Sequence, residues 1–297
     1  MFVEFKRGNS CDPFYDQIIL CSARLQNYQF RTWVFSVGIF GDVARLFRWD
    51  RAGAIVSEAI PYQERGNRDL AEFFFRFDKM NPAQRGFDHT VFNATPEETV
   101  AFDKAIKSAV KKGENALLKE LLHSVCNKAD YPRRRIEIPA LDGEDKQVES
   151  YIIGRSIANA GSPTGRATRG FVAMSKKSGN LVFLKDSWRP DIPGMMGEGH
   201  WFRRLRGAKN ISAFVHGSDV RCVELKLPGA KGSDQFQCTL TNVHSKKYGG
   251  PETMMGYIHY RTVQCEFYIP LHMFEDSKHL VRIMLDIAIG TSWLSSA

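Results

Sequence analysis

Gly165-Arg166-Ala167-Thr168-Arg169-Gly170-Phe171-Val172, followed after a turn by Val182-Phe183-Leu184-Lys185, is the stretch whose reading decides the fold. Glycines at 165 and 170 let backbone amides approach an anion such as phosphate, as in a G-x-G-x-x-G-x-V loop. Ala167 replaces the middle glycine and restricts that approach. Lys185 follows Val172 by 13 residues, with Lys177-Ser178-Gly179 between them. That spacing suits two antiparallel strands and a tight turn, and it sets a lysine charge beside the glycine-bearing strand. A short helix is predicted near 198–206, and its Glu198 can pair with Lys185 or simply favour the helix N-terminus.

Outward from this hairpin, residues 151–297 read as short strands: 151–157, 170–175, 180–186, 213–216 and 260–267. The Gly-, Ser- and Lys-rich stretch from Pro228 to Gly256 reads as a long loop. Ser277 is the expected cap of a last helix over 278–289, with Leu280, Val281, Met284 and Ile287 inward.

The first 130 residues read differently. A strand over Phe2–Phe5 and a helix from Pro13 to Gln29 precede a three-stranded meander over 31–60, turned at Gly41-Asp42 and at Asp50–Gly53. Leu70, Phe73, Phe74 and Phe77 form the stripe of a helix over 68–80. Thr95, Pro96 and Glu98 form a capping box for the next helix, and a further helix spans 114–127. Tyr131-Pro132 and the triplet Arg133-Arg134-Arg135 mark the expected boundary, followed by a polar turn at Asp142–Asp145. The expected division is therefore 1–130 and 131–297, and the fold class α+β.

The chain has 297 residues, 43% hydrophobic and 25% charged, which excludes wholesale disorder, collagen and coiled coil. No apolar run is long enough to span a bilayer, and the N-terminus does not read as a secretory signal. Six scattered cysteines without C-x-x-C read as reduced thiols, so an intracellular, non-membrane setting (cytoplasm or nucleus) is expected. There are 41 Lys and Arg against 33 Asp and Glu, a net charge of +8. The basic residues scatter, so nucleic acid is not the expected partner. Glu4-Phe5-Lys6 matches the E-x-K strand of metal-dependent nucleases, but no preceding strand supplies the second carboxylate. No H-E-x-x-H occurs. Asp50 and Arg51 read as turn and ion-pair residues.

Several stretches together resemble the fungal-type protein kinase family. They are S-P-T-G-R-A-T-R-G-F and L-V-F-L-K-D-S-W-R within Tyr151–Trp188, and Q-F-R-T-W-V-F-S-V and R-L-F-R-W-D-R-A-G-A-I-V-S within Gln29–Ser57. Gln84–Asp88, His259-Tyr260-Arg261 and Pro270–Phe274 also match. The resemblance implies an N-terminal α/β extension, then a protein-kinase-like small lobe and the start of a large lobe. It implies ATP as ligand and Ser/Thr phosphoryl transfer as the family activity. Carried over position by position, the cofactor-binding candidates are Gly165, Gly170, Val172, Lys185 and Glu198.

The catalytic base and metal ligands have no counterpart. Neither H-R-D-x-x-x-x-N nor D-F-G occurs, and His216-Gly217-Ser218-Asp219 is a poor substitute. The chain closes at Gly290–Ala297, where the resemblance would lead into the catalytic loop. The expectation is thus a truncated or pseudokinase chain with no catalytic and no metal residues, weak or vestigial ATP binding, and no magnesium site. Asp186 and Asp219 are the carboxylates to inspect first. An incompletely covered large-lobe face is expected to offer a protein-docking surface. The competing readings are a non-catalytic interaction module and a basic nucleic-acid binder.

Overall fold

Two sheets organise the chain in the computed structural model, which describes residues 1–6, 12–113, 115–125, 131–139, 148–158, 161–208, 210–222, 236–251, 254–268 and 271–292. The first sheet holds β1 (Phe2–Lys6), β2 (Val34–Phe40), β3 (Val43–Asp50) and β4 (Gly53–Val56) in that order. β1 pairs in parallel with β2, and α1 (Asp12–Tyr28) makes the crossover; β2, β3 and β4 form the antiparallel meander. Gly41, at φ +58°, supplies the left-handed residue of the β2–β3 turn. Ile18 from α1 packs with Phe40, Phe47 and Trp49 to close one face of this sheet. α2 (Asp69–Lys79) contributes no buried residue, but Phe73 and Phe77 meet the ring of Phe35 edge-on at about 6 Å.

The second sheet is antiparallel throughout, in the order β10-β11-β9-β8-β7-β6-β5. Its strands are β5 (Val91–Asn93), β6 (Arg134–Ile138), β7 (Glu149–Ala158), β8 (Arg169–Ser175), β9 (Leu181–Pro190), β10 (Phe214–Asp219) and β11 (Tyr257–Gln264). The helices among them are α3 (Pro96–Lys112), α4 (Ala116–Val125), α5 (Glu198–Arg204), α6 (Thr241–Lys247) and α7 (Ser277–Ser292). The capping box of α3 is present: Thr95 Oγ1 accepts from Glu98 N at 3.2 Å, and Glu98 Oε2 from Thr95 N at 2.9 Å.

One face of this sheet is closed by α3 and α4. Phe102, Ile106, Leu122 and Val125 bury Ile152, Val172 and Met174 beneath them. By packing, residues 91–125 go with the second sheet, across the boundary expected at residue 130. The basic triplet expected to mark that boundary lies within the fold of the second sheet. Arg133 is buried, donating to Asp103 Oδ1 at 2.9 Å and to the Val125 carbonyl at 3.0 Å, and Arg134 and Arg135 open β6. A guanidinium satisfied by a helix acid and a helix C-terminal carbonyl can be buried where sequence pattern alone reads solvent.

The stretch expected as a loop from 228 to 256 contains α6, and Phe236 and Cys238 form isolated bridges with Arg221 and Ile258. Residues 223–235 lie outside the described residues, as do the polar turn at 142–145 and residues 293–297. The last helix is capped by Asp276 rather than Ser277. Its Oδ1 accepts from His279 N at 2.7 Å and its carbonyl from Leu280 N at 3.0 Å. The expected inward stripe of α7 is not inward: Val281 is 66% exposed and Met284 55%.

Candidate functional site

Lys185 sits in the middle of β9, opposite Gly170 on β8 and Thr262 on β11. Directly paired residues share a face and successive ones alternate, so Gly170, Val172, Phe183, Lys185 and Thr262 all belong to one side of the sheet. On that side Lys185 Nζ lies 2.8 Å from Glu198 Oε1. The pair is partly open to solvent, with side-chain exposures of 22% and 30%.

The position of Glu198 is set by its two neighbours. Gly197 and Gly199 lie against Tyr260 on β11, and Gly199 N donates to Tyr260 Oη at 2.9 Å. A Cβ at 197 would stand 2.6 Å from the tyrosine ring and one at 199 only 2.8 Å from its oxygen. Gly-Glu-Gly is therefore what lets α5 come close enough for the ion pair.

The other candidates are placed differently. Val172 is fully buried beneath α3 and α4. The space beside Gly170 is taken by the Phe183 ring, 3.0 Å from where a Cβ would stand. Gly165 has φ +82°, and its amide donates to the Arg51 carbonyl at 2.8 Å. The Arg166 carbonyl accepts from Trp188 N at 2.7 Å, so the segment before β8 runs on along β9 past Lys185. Ala167 takes φ +43°, a left-handed conformation that a glycine would hold without a Cβ penalty. Gly170, Val172, Lys185 and Glu198 thus share one face, and Gly165 stands apart.

The opposite face carries an ionic cluster that sequence reading did not find. Arg261, with 0% of its surface exposed, donates to Asp186 Oδ1 at 3.1 Å, to Asp88 Oδ2 at 2.5 Å and to Thr90 Oγ1 at 2.6 Å. Arg169 also pairs with Asp186. His259 Nε2 lies 2.5 Å from Asp186 Oδ1, and its Nδ1 lies 2.6 Å from Gln237 Oε1. Gln237 Nε2 closes the ring by donating to Asp88 Oδ1 at 2.9 Å. The only sequence signal was charged residues alternating through apolar strands, and nothing local says which strand each will meet.

Burial pushes the Asp88 carboxyl upward, but Arg261, His259 and the bonds from Gln237 and Thr90 outweigh it and hold it at about 2, against an ordinary 3.8. A folded-state value below the unfolded one stabilises the fold fully above pH 3.8, and that contribution is lost as pH falls toward 2. For Asp88 it is about 2 kcal/mol. Urea unfolding between pH 5 and 2 is expected to show the loss, and Asp88→Asn to flatten this part of the profile. A wild-type profile already flat there would contradict the assignment.

The two carboxylates singled out as metal candidates are both committed. Asp186 lies within the cluster, on the face away from Lys185, and Asp219 receives Arg189 through both oxygens at 2.7 Å. His216 and Ser218 sit in β10 and reach the Pro139 carbonyl at 2.8 and 3.1 Å, so this segment is strand rather than catalytic loop. Among the described residues no group of three or more His, Cys, Asp or Glu could hold a metal ion. A cavity of about 670 Å³ opens where the chain leaves β11, walled by Leu118, Phe267, Tyr268, Leu271, Ile283 and Ile287.

A model of the fungal protein kinase family matches residues 21–290. The chain belongs to the fungal protein kinase family. No curated protein and no solved structure matches it. Protein kinases use ATP with Mg²⁺, a lysine on the third strand of the nucleotide lobe and a glutamate on the following helix. Counted from β7, β9 is the third strand and α5 the next helix, so the Lys185–Glu198 ion pair is placed like that pair. It fits the phosphate side of the ligand. The described residues offer nothing comparable for the metal. Among them, no helix is long and apolar enough to cross a membrane.

Proposed function

We propose that this kinase-family chain is an ATP-facing lobe that binds nucleotide weakly and does not transfer phosphate by itself. The observation that carries this reading is the Lys185–Glu198 pair, held at 2.8 Å between β9 and α5. Its sequence contains no H-R-D and no D-F-G, the sources of the base and metal ligands of Ser/Thr phosphoryl transfer. Lys185 and a few loop amides would then meet the phosphate charge almost alone. Charge-assisted hydrogen bonds contribute roughly 1.5–3 kcal/mol each, against the cost of immobilising a flexible nucleotide. Millimolar affinity follows.

Calorimetry with ATP is expected to give a millimolar Kd that Mg²⁺ does not alter and that Lys185→Ala weakens about tenfold, the loss of one charge-assisted bond. Micromolar, Mg²⁺-dependent binding would overturn this, as would phosphate transfer to a generic protein substrate that Lys185→Met abolishes. A non-catalytic docking role is the second reading. It is favoured by α7, whose Val281, Met284, Leu285 and Ile287 present apolar surface to solvent.

A further inference from the structure

The turn between β3 and β4, read from sequence as a local ion-pair corner, reaches out of its own sheet. Asp50 Oδ2 accepts from the backbone amides of Leu240 at 2.8 Å and Thr241 at 2.9 Å, where α6 begins. Arg51, 1% exposed, donates from Nη1 to the Pro163 carbonyl at 3.1 Å and from Nη2 to Asn27 Oδ1 at 3.3 Å. Its carbonyl accepts the Gly165 amide at 2.8 Å. The hairpin tip is thus a wedge between the glycine-bearing loop and α6. The guanidinium feels Arg169 and Asp186, whose side chains mark the sheet face opposite Lys185.

This geometry excludes a second use of the same amide. Gly165 N cannot donate to the Arg51 carbonyl and, at the same moment, to a phosphate oxygen beside Lys185 Nζ on the other face. The docked state is also incompletely satisfied: Arg51 Nε and Thr241 Oγ1 are buried at this junction without a hydrogen-bond partner. A buried polar group left unpaired makes release less costly than burial alone suggests.

We infer that Arg51, on a turn that Asp50 anchors to α6, is a latch that holds the 163–166 loop on the Asp186 face, and that the loop must leave Arg51 before its amides can serve a phosphate at Lys185. The inference rests on the ATP-facing reading of the Lys185 site. Arg51 is a positioning residue, because it acts through the loop and not on the ligand.

The test is amide hydrogen exchange and ATP calorimetry on the full chain and its Arg51→Gln variant. Exchange over 161–168 is expected to rise about tenfold while β8 and β9 stay protected, since one charge-assisted restraint is removed. ATP affinity is expected to rise by a similar factor, and adding Lys185→Ala should abolish the gain. Unchanged exchange overturns the latch whatever binds, and so does exchange that rises equally in β8 and β9, which would make Arg51 a purely structural residue. A fall in ATP affinity overturns it too. Selective loop exchange with no ATP binding by either protein instead refutes the ATP reading of the site, and the ligand side of the latch with it. If Arg51→Gln does not fold, Arg51→Lys keeps the charge, removes the guanidinium fork and is read in the same way.

Discussion

Replacing Arg261 with Met is expected to remove about 3–5 kcal/mol from the folding stability, the cost of breaking a buried ion network from one side. Arg261 has no exposed surface and is the only guanidinium in the cluster that bonds to both Asp88 and Asp186. Burial raises both carboxyls, and Arg261 is among the charges that bring them back below their ordinary value. Without it, two carboxylates remain in a low-dielectric interior with Arg169 and His259 to serve them. Thr90 Oγ1 and the Glu137 carbonyl lose a donor as well. Urea unfolding gives the measurement, and a loss under about 1 kcal/mol would sink the claim. Adding Asp88→Asn to Arg261→Met should recover part of the loss, because a neutral amide needs no counter-charge. Such a non-additive pair identifies direct coupling.

Phe102→Ala is expected to cost about 3–5 kcal/mol, the usual range for emptying a buried phenyl site. Phe102 is fully buried between α4 and the sheet, against the cluster that holds Ile152, Val172 and Leu122. The Arg133 guanidinium also stands over its ring, 5.2 Å from the centroid. Hydrogen exchange gives this prediction a second readout. Protection is expected to fall in α3, α4 and β8 together and to hold in β2 and β3, which pack on α1 instead. If the loss appeared only in the first sheet, or stayed below about 1 kcal/mol, α3 and α4 would not belong to the second core as described.

The sequence by itself determined what short-range physics decides. Thr95, Pro96 and Glu98 fix the start of α3 because all three act within one helical turn. Lys177-Ser178-Gly179 sets the β8–β9 hairpin because Gly179 takes φ +74° while its amide returns to the Ser175 carbonyl. That hairpin brings Gly170 opposite Lys185. That Glu198 meets Lys185, rather than only favouring its own helix N-terminus, was decided by the packing of Gly197 and Gly199 on Tyr260. Tertiary structure alone decided what lies above and below the sheet. Strand alternation puts Val172 and Lys185 on one side, but it cannot say that α3 and α4 will bury the valine while the lysine stays partly open. Nor can it say that Asp88, Arg169, Asp186 and Arg261 will meet on the other side, since a buried charge reads as a surface charge until its partner is placed. β5 and β6 were missed because three- and five-residue strands carry little periodicity of their own and exist through pairing. Arg51 and Pro163 stand 112 residues apart in the chain. Their contact follows from how the two sheets pack, and no local pattern encodes it.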